Sequence, residues 1–246
     1  MISTTKYRER VFSYYNSARQ QVLAPVNLDG LKPRAPYINQ IIQRHFPAKK
    51  DAQILDLGCG YGAFIYFAIQ AGYQNIHGVD TSPEQVKAGQ QLGIPNIKLG
   101  NLLDVLRAQP DNSHDVVMAF DIIEHFYKDE ILAIVDEVRR ILKPGAAFII
   151  HTPNGESPFA SKMRFWDFTH EFIFTRASIH QLLLSSNFTK VACFEEAPVP
   201  HGLISTTRAI LWQAIRLGLA FYIAIETGHI DKHQVFTQNF LTIAYK

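Results

Sequence analysis

Nine consecutive residues constrain this chain more than any others: Ile54-Leu55-Asp56-Leu57-Gly58-Cys59-Gly60-Tyr61-Gly62. An apolar run breaks into alternate glycines and is followed at once by Ala63-Phe64-Ile65-Tyr66-Phe67-Ala68. That order reads as a buried strand, a tight loop and a helix. Glycine lets the loop turn with positive φ and lets a ligand approach the backbone closely. The loop delivers that ligand to a helix N-terminus, whose unbonded N–H groups attract negative charge. A plain strand-to-helix turn is the competing reading, but it has no use for three glycines in five residues.

Two ligand classes fit. Gly58, Gly60 and Ala63 satisfy the G-x-G-x-x-G/A dinucleotide pattern, and Asp80 stands about 20 residues on, where a ribose-binding acid belongs. Asp56 separates the classes. It ends the strand beside the ligand, where it would repel a pyrophosphate and attract a cationic amino-acid end. S-adenosylmethionine has an ammonium, a carboxylate and a ribose diol, and no phosphate. The residues therefore favour the methionine cofactor.

Leu55-Asp56-Leu57-Gly58-Cys59-Gly60-Tyr61-Gly62 resembles motif I of class I S-adenosylmethionine-dependent methyltransferases. Gly78-Val79-Asp80-Thr81-Ser82 resembles the acidic strand end that follows it, and Asp121-Ile122-Ile123-Glu124-His125 the Asp-x-x-Glu-His segment of the ubiquinone-pathway O-methyltransferase branch. Leu142-Lys143-Pro144-Gly145 and Thr152-Pro153-Asn154 resemble later landmarks of that branch. The resemblance covers roughly residues 50–190. It implies an α/β fold, a three-layer Rossmann-like sheet of seven strands with the last antiparallel, N-terminal lid helices and a helical insertion before the last strand. It divides the chain into lid helices (1–46), cofactor-binding core (47–200), apolar insertion (201–230) and final strand (231–246). It further implies cofactor contacts from Arg34, Asp56, Gly58, Cys59, Gly60, Asp80, Thr81, Asn101, Leu102, Phe120 and Asp121. Asn101 stands where many relatives carry an aspartate for the adenine amino group. Arg34 matches an arginine that meets the cofactor carboxylate, a pairing its planar guanidinium suits.

Composition narrows the alternatives. Of 246 residues, 47% are hydrophobic and 19% charged, which is ample core material. A net charge of +2 and the lack of a basic tract argue against a nucleic-acid partner. Cys59 lies inside the glycine loop, so Cys59 and Cys193 are expected as free thiols in a reducing, cytoplasmic setting. No apolar leader is visible in residues 1–10.

Along the chain, residues 4–22 read as a helix bearing Tyr14 and Tyr15, both expected near the acceptor as lid residues. A second helix spans 37–46. Strands are expected at 75–79, 114–119, 146–151, 188–195 and 236–244, with a short strand and loop over 97–101, and helices at 130–142 and 175–185. His125 follows the fourth strand, where an acceptor would sit. Its near-neutral titration suits it to take a hydroxyl proton. His151 and His170 are rival bases, and Asn154 and Trp166 are expected against the acceptor. Long loops at strand ends usually serve function, which singles out residues 155–174. No compact carboxylate cluster is visible, so no metal is expected.

Residues 203–227 are almost uniformly apolar, interrupted by Arg208 and Arg216. Three readings stand: a buried helix that caps the acceptor pocket or contacts a second subunit, an interfacial helix on a membrane, or a span. The first is preferred, because the reacting end of the sheet needs cover from water. A similar insertion is familiar in surface-glycan methyltransferases. The functional expectation is methyl transfer to a hydroxyl of a small or lipid-linked molecule, a sugar or a phenol. Transfer to nitrogen or carbon, a nucleotide-dependent oxidoreductase and a silent binding module are the rivals.

Overall fold

The computed structural model describes residues 10–12, 14 and 24–246. Most of the expected helix over 4–22, Tyr15 included, lies outside the described residues. The strands are β1 (Gln53–Leu57), β2 (Asn75–Asp80), β3 (Ile97–Leu99), β4 (His114–Phe120), β5 (Leu142–Pro153), β6 (Lys190–Glu195) and β7 (Asn239–Tyr245). They form one sheet in the order β3-β2-β1-β4-β5-β7-β6. Only β7 runs antiparallel to its neighbours, β5 and β6. This is the expected class I methyltransferase sheet.

Helices α1 (Ala35–His45), α2 (Ala63–Gln70) and α3 (Pro83–Gln91) cover one face. Helices α4 (Leu102–Arg107), α5 (Lys128–Ile141) and α7 (Arg176–Ser185) cover the other. A short helix, α6 (Ala160–Phe165), sits in the long connection after β5. Strand periodicity sorts the side chains into two cores. Ile54, Val116, Met118 and Ile149 join Ile38, Phe64 and Val86 in the first. Leu55, Val117, Phe148 and Ile150 join Leu106, Val135 and Leu183 in the second. Each fully buried aliphatic contributes about 1.5–3 kcal/mol, so both layers are held to the sheet along its whole length.

Helix α3 has Ser82 as its N-cap, accepting from the Gln85 N–H, with Pro83 opening the first turn. Strand β5 begins four residues earlier than the apolar pattern indicates. The register with β4 jumps from His114↔Leu142 to Val116↔Ala147, so Lys143-Pro144-Gly145 loops out as a bulge. A bulge tolerates proline, which has no N–H for the ladder.

The apolar stretch forms one helix, α8 (Leu203–Thr227). It passes the length and composition test for a membrane span. Its position corrects the pocket-cap expectation. Trp212 and Arg216 turn toward the body, both donating to Glu195 Oε2, at 3.4 and 3.1 Å. Leu211, Ile215, Phe221 and Ile225 are exposed. Tyr222 is exposed as well, and neither it nor Trp212 faces the cavity described next.

Candidate active site

A cavity of about 330 Å³ opens at the carboxyl ends of β1, β2 and β4. There β1 lies between β2 and β4, the switch point at which open α/β sheets bind ligands. The glycine loop forms one wall. Gly58, Gly60 and Gly62 have φ of 69°, 55° and 86°. Gly58 cannot carry a side chain, because a Cβ there would meet Ile122 Cδ1 at 2.6 Å. At Gly60 the nearest atoms to such a Cβ are those of Gln85, 3.8 Å away, and both residues line the cavity. The Gly58 and Cys59 N–H groups donate to Val79 O at 2.8 and 3.1 Å, which ties the loop to β2.

Two acids face this half. Asp56 is buried, and its Oδ1 has no hydrogen-bond partner among the described residues. Burial, reinforced by the Asp80 charge, pushes its carboxyl up to about 8. Such an acid invites a cation, which would supply the missing partner. Asp80 accepts from the Gly60 N–H at 2.7 Å and from the Ser82 N–H at 2.8 Å. Burial outweighs both bonds and raises its carboxyl. Its oxygens have lone-pair capacity left for a diol. Arg34 lies over the Tyr61 ring, 5.5 Å from its centroid, at the same cavity. An orphan acid, a diol-competent acid, an arginine and a close-approach glycine loop fit the ammonium, ribose and carboxylate of S-adenosylmethionine. Thr81 and Phe120 line the same half. Cys59 does too, with its thiol raised by burial and so unreactive.

Asn101 and Leu102 are not brought to this cavity. Asn101 Oδ1 accepts from the Leu103 and Asp104 N–H groups as the N-cap of α4, and Leu102 is buried in the second core.

The other half is lined by Glu124, His125, Met163, Trp166, His170 and Phe12. His125 Nδ1 lies 2.8 Å from Thr169 Oγ1, whose hydroxyl donates to Asp167 Oδ1 at 2.7 Å. Thr169 therefore accepts from His125 Nδ1–H, and the lone pair is on Nε2. His170 Nδ1–H donates to Met163 O at 3.0 Å. The His125 and His170 rings meet edge to face at 4.9 Å. Glu124 is 0% exposed, and its Oε2 accepts from Thr152 Oγ1 at 3.1 Å. Burial, with the Asp121 charge, pushes its carboxyl up to about 8.

His151 is corrected as a base. It donates from Nδ1 to Asp121 at 2.7 Å and from Nε2 to Glu196 at 3.1 Å. Burial alone would lower it, but these two carboxylates raise it well above the usual histidine value. It is an imidazolium with both protons committed. Stacked on Phe120 at 5.3 Å, it supports the cavity wall from behind. Asn154 is likewise structural in its contacts, donating to Val235 O and Thr237 O at 2.8 Å each, and it does not line the cavity. Tyr14 is 63% exposed and stands off it. Asp121 does line it, with φ of 53°. Phe12, Met163 and the Thr169 hydroxyl that links His125 to Asp167 were not legible in the sequence. Glu124 was visible only inside the Asp-x-x-Glu-His segment.

Known proteins place the chain in the same class. The profile of a methyltransferase domain matches residues 31–192, and the chain belongs to that family. It is similar to the 2-methyl-6-phytyl-1,4-hydroquinone methyltransferase of Synechocystis sp., 28% identical over 116 residues, 46% of this chain and 36% of that protein. It is similar also to the ajmaline N-methyltransferase of Rauvolfia serpentina, 30% identical over 127 residues, 48% of this chain and 42% of that protein. The matches therefore span less than half the length of these relatives. Among solved structures, an S-adenosylmethionine-dependent methyltransferase from Archaeoglobus fulgidus superposes with a TM-score of 0.63 at 17% identity, over 97% of this chain and 99% of the other. The geranyl diphosphate C-methyltransferase of Streptomyces coelicolor A3(2) gives 0.63 at 14%, over 99% of each. These likenesses establish a class I S-adenosylmethionine-dependent methyltransferase fold.

Proposed function

We propose that this chain methylates a hydroxyl of a small or lipid-linked molecule, a sugar or a phenol, with S-adenosylmethionine as the donor. One observation carries the reading: a single cavity joins the acid-lined glycine loop to an imidazole whose tautomer is set by Thr169 and Asp167. When bound, the cofactor supplies a sulfonium-activated methyl group, and a hydroxyl acceptor must then shed a proton. His125 Nε2 takes that proton, because Nδ1 already holds its own against Thr169. Phe12, Met163 and Trp166 shield the acceptor from water. The Asp-x-x-Glu-His segment supports a place near the ubiquinone-pathway O-methyltransferases. The named chemistry of the relatives includes nitrogen and carbon acceptors, so the test is a panel. Methyl-labelled cofactor is offered with phenols, sugar alcohols, amines and prenylated hydroquinones. Label in an ether is expected; label confined to amine or carbon products would overturn the hydroxyl assignment.

The outward face of α8 is assigned to a second copy of the chain. Interfacial membrane helices carry several cations on the polar side. Here Arg216 is turned inward onto Glu195 and the Gln234 carbonyl, leaving Arg208 as the outlying cation of the helix.

A further inference from the structure

We infer that Glu124, His125 and His170 form a binding site for one divalent transition-metal ion, at the place where the proposed acceptor oxygen sits. Each offers one ligand atom, and the three atoms lie within 4.8 Å of one another, all in buried residues. Two nitrogens and one carboxylate oxygen suit zinc, iron(II), manganese or cobalt. Magnesium and calcium prefer oxygen throughout.

Each ligand is held for that purpose by its own support. Glu124 is pinned at both ends: its carbonyl accepts from the Glu171 and Phe172 N–H groups at 2.8 and 3.1 Å, and its Oε2 from Thr152. Its Oε1 is buried without a hydrogen-bond partner among the described residues and lies 4.0 Å from His170 Nε2. A buried orphan carboxylate oxygen costs free energy unless a proton or a cation meets it. His170 spends its Nδ1 proton on the Met163 carbonyl, and His125 spends its own on the Thr169–Asp167 pair. Both imidazoles thus keep the lone pair on Nε2, and each has the kind of backing group that orients a metal-bound histidine. Metal–ligand bonds of 2.0–2.1 Å set tetrahedral edges of roughly 3.3 Å. The 4.0 Å pair needs to close by about 0.7 Å, and no pair of the three by more than about 1.5 Å, within the reach of χ rotations.

Three protein ligands leave at least one coordination position open toward the cavity. This inference rests on the hydroxyl-acceptor reading for what fills that position. A hydroxyl ligated there loses its proton to solvent more readily, because the cation stabilises the oxyanion. That oxygen then attacks the sulfonium methyl. The O–C bond forms as the S–C bond breaks, and the electron pair stays on sulfur. With the ion bound, His125 Nε2 holds the metal and solvent takes the proton; in the metal-free chain the same lone pair takes the proton, so His125→Ala lowers turnover in either state.

The test uses the untagged full chain with cobalt(II) as the optical probe. One equivalent is expected to bind and to give visible d–d bands of a nitrogen–oxygen site. Glu124→Gln and His170→Ala should each weaken binding by on the order of 10²-fold and remove the bands, with S-adenosylhomocysteine affinity unchanged by calorimetry. Zinc should compete the cobalt out. Cobalt binding that is absent in the wild type, or that survives both substitutions undiminished, would overturn the site. Cofactor affinity lost in the wild type as well would instead sink the methyltransferase reading, so the two failures are distinguishable.

Discussion

Asp56 carries the cofactor argument at the scale of single residues, and its protonation makes the argument testable. Burial holds its carboxyl near 8, so at pH 7 the cofactor-free protein keeps it mostly neutral. An arriving ammonium stabilises the carboxylate and expels the proton. Calorimetry at pH 7 in buffers of different ionisation enthalpy should report close to one proton released per cofactor bound. Asp56→Asn should abolish the release, and a wild type that releases none would remove Asp56 from the site. The same groups set a pH dependence of stability. The carboxyls of Asp56 and Glu124 both sit near 8 in the folded chain, against ordinary values of 3.8 and 4.5. The folded state therefore holds protons that the unfolded chain gives up near pH 4. Stability from these groups is full below that and is lost as pH rises through about 8. Thermal melts of the cofactor-free protein should fall from pH 6 to pH 9, and the slope should flatten in Asp56→Asn and Glu124→Gln. At His125, substitution by alanine should lower turnover on a hydroxyl acceptor by roughly 10²–10⁴ with cofactor affinity nearly intact. A loss under tenfold would reassign it to a structural part. His151→Ala is the control, expected to disturb the fold around Asp121 and Glu196 without behaving as a lost base.

Among the elements, the glycine loop and α8 show what a sequence discloses and what it hides. The loop was legible because its chemistry is local. Strand, glycines and helix follow one another, and the acid that ends β2 comes at a fixed spacing. Gly60→Val is expected to abolish cofactor binding, because the added side chain would stand at a position that lines the cavity beside Gln85. The φ of 55° there adds strain of about 1–2 kcal/mol, which the sheet survives. Thermal melts and titration together check this, and normal binding would put the cofactor elsewhere. By contrast, His125, His170 and Glu124 meet through a connection that the sequence shows only as aromatic and ionisable. Their proximity depends on how residues 166–170 fold back, with the Thr169 N–H donating to Asp167 Oδ1 at 2.8 Å. Asn101 misled because a good N-cap and a good adenine ligand are the same residue type. His151 misled for a similar reason: its partner Glu196 is 45 positions away. Helix α8 was legible as an apolar helix, but which face turns inward depended on Glu195, a partner outside the helix. If α8 meets a second copy as proposed, the chain should sediment as a dimer, and replacing Leu211 and Ile215 with glutamate should give monomers without altering cofactor affinity. Flotation of the intact chain on anionic liposomes with no dimer in solution would contradict the subunit assignment.

For the molecule as a whole, the sheet order follows from parallel strands joined by helices and a final antiparallel return, and the cavity falls where that order reverses between β1 and β4. The acceptor half, built by the connection after β5 and by Phe12, is where the chain departs from what the cofactor motifs dictate. Cofactor binding is therefore the property on which methyl transfer by this chain depends first. Calorimetric titration of S-adenosylmethionine into the wild type and Asp80→Ala tests it most directly. Asp80 offers charge-assisted acceptance to the ribose diol, an interaction of about 1.5–3 kcal/mol. The prediction is one site per chain in the wild type and a loss of roughly 10- to 150-fold in the variant, by the same figure. No binding by the wild type, or equal affinity in Asp80→Ala, would contradict it.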